Sequence, residues 1–142
     1  AADNPDKVAA IGGIYSVTNL LNYPGYNQTQ IDADPKLDNP IVRLAGLVAN
    51  DVSVFHIHGD SDSVVPIEDN TQIVKDYFDA NGGDATLTVI AGGGHDMNVH
   101  WWNNQPLTDF MINETLAAAV PEPSSSALLG LGGLALVFRR RK

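Results

Sequence analysis

The stretch from Phe55 to Pro66, FHIHGDSDSVVP, decides how this chain is read. The residues from Val52 to Ile57 suit a buried strand, and that strand runs into a polar turn holding Asp60 and Asp62. A second segment, GGGHDMNVHWW from Gly92 to Trp102, repeats the construction. There a glycine run delivers His95 just after another apolar strand, Ala85 to Ala91. A carboxylate and a histidine on loops after successive strands are two of the three members of a Ser–His–Asp relay. In such a relay the carboxylate orients the imidazole and stabilises its charged form, and the imidazole takes the nucleophile's proton. The nucleophile itself is missing, because no Gly-x-Ser-x-Gly occurs in the sequence.

Working outward, strand and helix patterns alternate. Val8 to Ile14 is apolar and suits a buried strand. Residues 1–6 read as a helix end broken by Asn4-Pro5-Asp6. Residues 15–50 carry turn signals at Tyr23-Pro24-Gly25, Asp34-Pro35 and Asn39-Pro40, with a helical turn from Ile41 to Val48 marked by Leu44, Leu47 and Val48. After Pro66, Ile67, Ile73, Val74, Tyr77 and Phe78 share one face of a helix from about Glu68 to Ala80, closed by Asn81-Gly82-Gly83. Thr86 to Ile90 alternates polar and apolar residues, as a strand nearer the sheet edge does. Pro106 opens a last helix with Leu107, Phe110, Met111 and Leu116 expected to face inward. This order predicts an α/β fold, a parallel sheet with helical crossovers.

HGDSDSVVP and the following GGGH resemble the acid and histidine loops of the α/β-hydrolase superfamily, most closely its bacterial esterase and prolyl-oligopeptidase-like branch. In that family the order is Ser, Asp, His. The resemblance implies that Asp62 is the acid and His95 the base. The opening AADNPDKVAAIGGIYSVTNLLNYPG resembles the end of the helix after the nucleophile elbow, followed by the next strand. On that resemblance the serine lies roughly one helix upstream of Ala1, and residues 1–118 are the C-terminal portion of a hydrolase catalytic domain whose nucleophile half is elsewhere. A complete core of that family is larger than 142 residues. In hydrolases of this kind, insertions such as residues 15–50 often cap the substrate. A plain surface loop is an equal reading of that segment.

The other candidate residues have simpler readings. Asp60 is expected to make the turn, since aspartates in glycine-containing turns commonly bond the backbone. His56 and His58 are expected to be buried and satisfied. His95 follows three glycines, which permit tight turning and close backbone approach, and this favours a working histidine over a structural one. His100 is a weaker candidate. His95, Asp96 and His100 do not match zinc-ligand spacing, so no metal is expected, and no cofactor. Of Trp101 and Trp102, at least one is expected in the core. Ser16, in Gly-Ile-Tyr-Ser-Val, lacks the following glycine and lies past the wrong strand to replace the nucleophile.

The ending has a different character. Val120-Pro121-Glu122-Pro123-Ser124-Ser125-Ser126 is a proline–serine joint. Ala127 to Phe138, an apolar run of twelve residues, and then Arg139, Arg140, Arg141 and Lys142 follow it. Twelve residues are short against the roughly twenty of a membrane-spanning helix, and the basic cluster fits a segment held at the cytoplasmic face. Pro121-Glu122-Pro123, an apolar run and a basic end, in that order at the terminus, resemble the PEP-CTERM sorting signal of Gram-negative bacteria. The resemblance implies that residues 119–142 are a sorting and anchor segment with a short hydrophobic helix, transiently in the inner membrane. It also implies processing by an exosortase-type enzyme and export to the envelope or beyond.

Composition narrows the partners. There is no cysteine, so disulfides and thiolate metal sites are excluded. Before Pro121 the chain has four basic residues against sixteen acidic ones, a net charge of −12, which argues against nucleic-acid binding. The combined expectation is an exported serine hydrolase acting on a small ester or peptide, for which this chain supplies acid and histidine. Two rivals remain at this stage. One is a non-catalytic surface or matrix protein that uses a degenerate hydrolase scaffold for binding. The other is a truncated product with no stable fold.

Overall fold

The computed structural model describes residues 8–23, 25–33, 39–96, 101 and 103–119. Three strands form one sheet in these residues: β1 (Ala10–Ile14), β2 (Ser53–Gly59) and β3 (Ala85–Ile90). They lie in the order β1-β2-β3, and both pairings are parallel. Gly12 pairs with Phe55, and Ile57 pairs with Thr88, so all three strands end at the same edge. The helices are α1 (Gln28–Ala33), α2 (Leu44–Val48), α3 (Thr71–Asn81) and α4 (Gln105–Ala119). This is the parallel α/β sheet with helical crossovers that the alternation of apolar runs predicts.

All seven residues of β2 are buried, as expected of a strand covered on both faces. Side chains alternate across a strand. Val54 therefore joins one apolar cluster with Leu44, Leu47, Val52, Val74 and Phe78, beneath α2 and α3. Phe55 and Ile57 join another with Trp101, packed by Leu107 and Phe110 of α4. The rings of Phe55 and Phe110 stand 5.4 Å apart. Each fully buried side chain of this size contributes about 1.5–3 kcal/mol by leaving water.

The helix after Pro66 differs from its expected outline. A 3-10 turn covers Ile67–Asp69, and α3 starts only at Thr71. Asn70 separates them at φ −128°, ψ −97°. Its side chain is engaged elsewhere: Oδ1 accepts the Thr18 and Asn19 amides, each at 3.0 Å, and Nδ2 donates to the Pro66 carbonyl. This one residue ties the loop after β1 to the loop after β2. At the other end Gly82 takes φ +74° as the left-handed cap that Asn81-Gly82-Gly83 signals.

The last helix also corrects its sequence reading. Leu107 and Phe110 pack inward and Met111 lies over Gly12, but Leu116 is 59 % exposed and Ile112 51 %. The inward stripe of α4 is thus confined to its first half, where β1 and β2 lie beneath it. No helix among the described residues is long and apolar enough to cross a membrane. The helix end at residues 1–6, His100, Trp102 and the segment Ala127 to Phe138 with its basic end lie outside the described residues.

Candidate active site

Because β2 and β3 are parallel neighbours, the loops that leave their ends meet at one edge of the sheet, where α/β folds place their ligands. Here the meeting is a close one. A Cβ on Gly59 would stand 2.0 Å from the carbonyl oxygen of Gly93, so only glycine allows the two backbones this approach. Three bonds then join the loops. The Asp60 amide donates to the Ile90 carbonyl (3.2 Å), the Ser61 amide to the Gly93 carbonyl (3.0 Å), and the Gly92 amide to Asp60 Oδ1 (2.7 Å). Asp60 therefore makes its turn and also clamps the glycine run.

Asp62 comes next and is almost fully buried. Its Oδ1 accepts the amides of Val64 (2.9 Å) and Val65 (2.8 Å), which fixes the carboxylate plane. Its Oδ2 stands 2.9 Å from His95 Nδ1. An ionised carboxylate only accepts, so Nδ1 carries the proton and Nε2 is left with its lone pair. Nε2 has no hydrogen-bond partner among the described residues, and the His95 side chain is 32 % exposed. Burial by itself would raise the Asp62 pKa. The Val65 amide, the bond to His95 and the Val64 amide outweigh burial and hold the carboxyl below its ordinary value. Asp62 is thus a charged, oriented acceptor that keeps one edge of an imidazole fixed and the other edge available.

His58 lies beneath this pair with no exposed surface. The Thr71 hydroxyl donates to its Nδ1 at 2.7 Å, and its Nε2–H donates to the Val65 carbonyl at 2.8 Å. Nε2 is also 3.5 Å from Asp62 Oδ2. Burial lowers the His58 pKa, opposed by the Val65 carbonyl and the Asp62 charge, so the ring stays neutral. It is a satisfied floor under the acid. His56, on the same face of β2, is buried with Nδ1 unpartnered, and burial followed by repulsion from His58 brings its pKa down from 6.5 to about 4.

One aromatic ring packs against the histidine, and a second packs against the first. Tyr15, at the end of β1, places its ring centroid 4.5 Å from that of His95, and Trp101 meets Tyr15 edge-on at 5.6 Å. Trp101 is buried, and its Nε1 donates to Asp96 Oδ1 at 2.9 Å. Ser16 turns its hydroxyl back over Gly13. Among the described residues no group of three His, Asp or Glu side chains could hold a metal ion. Tyr15, Thr71 and Asn70 had no signal in the sequence, since each acts across segments far apart in the chain. Gly59 had one: a glycine placed directly between a buried strand and an acidic turn.

Known proteins resemble this arrangement in two ways. Residues 119–142 match the PEP-CTERM protein-sorting motif. The described fold is similar to a truncated carbohydrate esterase from gut microbiota, with a TM-score of 0.54 and 20 % identity over 80 % of this chain and 44 % of that one. The fold is α/β-hydrolase-like. An acetyl ester-xyloside bifunctional hydrolase from Caldicellulosiruptor lactoaceticus also matches, with a TM-score of 0.48 and 18 % identity over 76 % of this chain and 41 % of that one. The chain spans less than half the length of either. No curated protein matches it in sequence. The terminal motif is a sorting signal and indicates export.

Proposed function

We propose that residues 1–118 are the acid-and-histidine portion of an exported serine hydrolase that transfers an acyl group from an ester or peptide to water, and that residues 119–142 are its sorting segment. The observation that carries this reading is the 2.9 Å bond between Asp62 Oδ2 and His95 Nδ1, made by a carboxylate whose other oxygen is already locked by two amides. Structural aspartates in turns rarely need a histidine.

In this mechanism His95 Nε2 removes the proton from a serine hydroxyl supplied by chain preceding Ala1, and the serine oxygen attacks the substrate carbonyl. The imidazolium that forms is stabilised by the Asp62 charge through Nδ1–H. Collapse of the tetrahedral intermediate passes the Nε2 proton to the leaving group and leaves an acyl-enzyme. Water, deprotonated by the same nitrogen, then releases the acid. Donors to the oxyanion would come from outside the described residues. The similarity of the fold to a solved carbohydrate esterase favours an ester over a peptide. An exported protein with an acidic body meets its substrate outside the cytoplasm.

The experiment is hydrolysis of a chromogenic acetyl ester by the native gene product that contains these residues. His95→Ala should lower the rate by about 10²–10⁴-fold, the usual contribution of a general base. Asp62→Ala should fall in the same direction with the protein still folded. A folded product that hydrolyses no ester or peptide, or one whose rate survives His95→Ala, removes the reading and leaves a binding scaffold.

A further inference from the structure

The bond from Asp62 holds one edge of His95 at Nδ1, and one hydrogen bond does not by itself define the ring plane. Asp60 and Ser61 clamp Gly92 and Gly93, which places the backbone leading into His95 and leaves the plane of its ring to side-chain contacts. Something else must set the ring plane if Nε2 is to point at one place.

Tyr15 is the residue in position to do so. Its ring meets the His95 ring at 4.5 Å between centroids and 53° between planes. The backbone beneath it is strained: φ is +35°, a region where side chains with a Cβ are uncommon. Among the described residues only one other non-glycine, Asp51, has positive φ, and short polar residues are tolerated there. A tyrosine has no such excuse. The preceding Gly12-Gly13 shows that glycine is used freely in this stretch, yet the strained position carries a large ring. Strain of this kind persists when the surroundings over-determine it, and it gathers at functional sites. The surroundings here do so from two directions. The Tyr15 amide donates to the Ile57 carbonyl at 2.8 Å, which extends the β1–β2 ladder. The ring also rests against Trp101, edge-on at 5.6 Å, and Trp101 is itself held by Asp96.

We infer that Tyr15 is a positioning residue for His95: its ring, delivered by a strained backbone and braced by Trp101, sets the plane of the imidazole and with it the direction of Nε2. The same ring lies within the distance at which an aromatic group attracts a cation, so it also faces the imidazolium during turnover. The contact itself does not require the hydrolase reading; its catalytic consequence rests on that reading.

The test has two arms. In the full chain, the His95 ring protons are followed by NMR in Tyr15→Phe and Tyr15→Leu, with Tyr15→Met as a second ring-free variant in case leucine prevents folding. Ring-current displacement of the His95 signals should persist in Tyr15→Phe and collapse in the ring-free variants, while the signals of His58 stay in place. Unmoved His95 signals in a folded ring-free variant overturn the inference. In the native gene product, kcat for ester hydrolysis should fall at least about tenfold in the ring-free variants with KM little changed, and Tyr15→Phe should restore it. A full kcat in a ring-free variant also overturns it. If the wild-type product hydrolyses nothing, the proposed function fails, and the NMR arm still decides whether the Tyr15 ring contacts that of His95.

Discussion

Lowering the pH from 7 toward 4 should destabilise this fold through His56. His56 sits on β2 with 5 % of its surface exposed, an unpartnered Nδ1 and His58 on the same face two residues on. Burial first, then the neighbouring imidazole, lowers its pKa from 6.5 to about 4. The unfolded chain therefore binds a proton at His56 between these values and the folded chain does not. Stability is unaffected above pH 6.5 and falls as pH drops through that window. The difference of about 2.5 pK units corresponds to about 3 kcal/mol, a large share of the total for a domain this size. His58, also lowered, adds in the same direction. Asp62 does not interfere: its depressed pKa gives stability that is lost only as pH falls through the still lower folded value. Urea denaturation of the wild type and of His56→Leu at pH 7 and pH 4.5 isolates the term. The wild type should lose about 2–3 kcal/mol more than the variant between the two conditions. Parallel losses in both proteins would refute the buried, neutral histidine.

Three further outcomes follow from the site. Gly59→Ala drives a methyl against the Gly93 carbonyl at 2.0 Å, so it should cost about 1–3 kcal/mol in denaturant and weaken the contact of His95 with Asp62, seen as a changed His95 ring signal. Asp60→Ala removes the acceptor for the Gly92 amide and should speed hydrogen exchange at Gly92, with about 1 kcal/mol or less lost globally because the bond is exposed. Deleting residues 119–142 from the exported product should abolish its envelope retention and exosortase-dependent processing; unchanged retention would place the anchor elsewhere.

The strands were legible because their signal is local. Val52 to Ile57 is an unbroken buried run, and β3 alternates polar and β-branched residues in sequence, although its exposed positions, Thr86 and Val89, fall on opposite faces. Turn chemistry did the same for the loops: glycine where two backbones touch, aspartates where amides need acceptors. The parts that escaped have no local period. α1 (QTQIDA) buries only Ile31, so no apolar stripe announces it. The break at Asn70 depends on the amides of Thr18 and Asn19, more than fifty residues away. Leu116 matches a helical stripe but is exposed, since periodicity records which residues share a face and not how far the sheet extends. Tyr15 was invisible for the deeper reason that a strained tyrosine looks like any other residue until its dihedral is seen. Asp62 and His95 could be picked out because the resemblance supplied roles and the turns supplied positions. The 2.9 Å between them comes only from folding.

The central claim is that His95, held by Asp62, serves a serine carried by chain before Ala1. Its most direct measurement is the reaction of the native gene product with a fluorophosphonate probe, with the modified residue located by peptide mass spectrometry. The account predicts one adduct, on a serine upstream of Ala1, with a labelling rate that drops by about 10²-fold or more in His95→Ala. No adduct on a folded product, an adduct on Ser16, or labelling that proceeds unchanged in His95→Ala would contradict it.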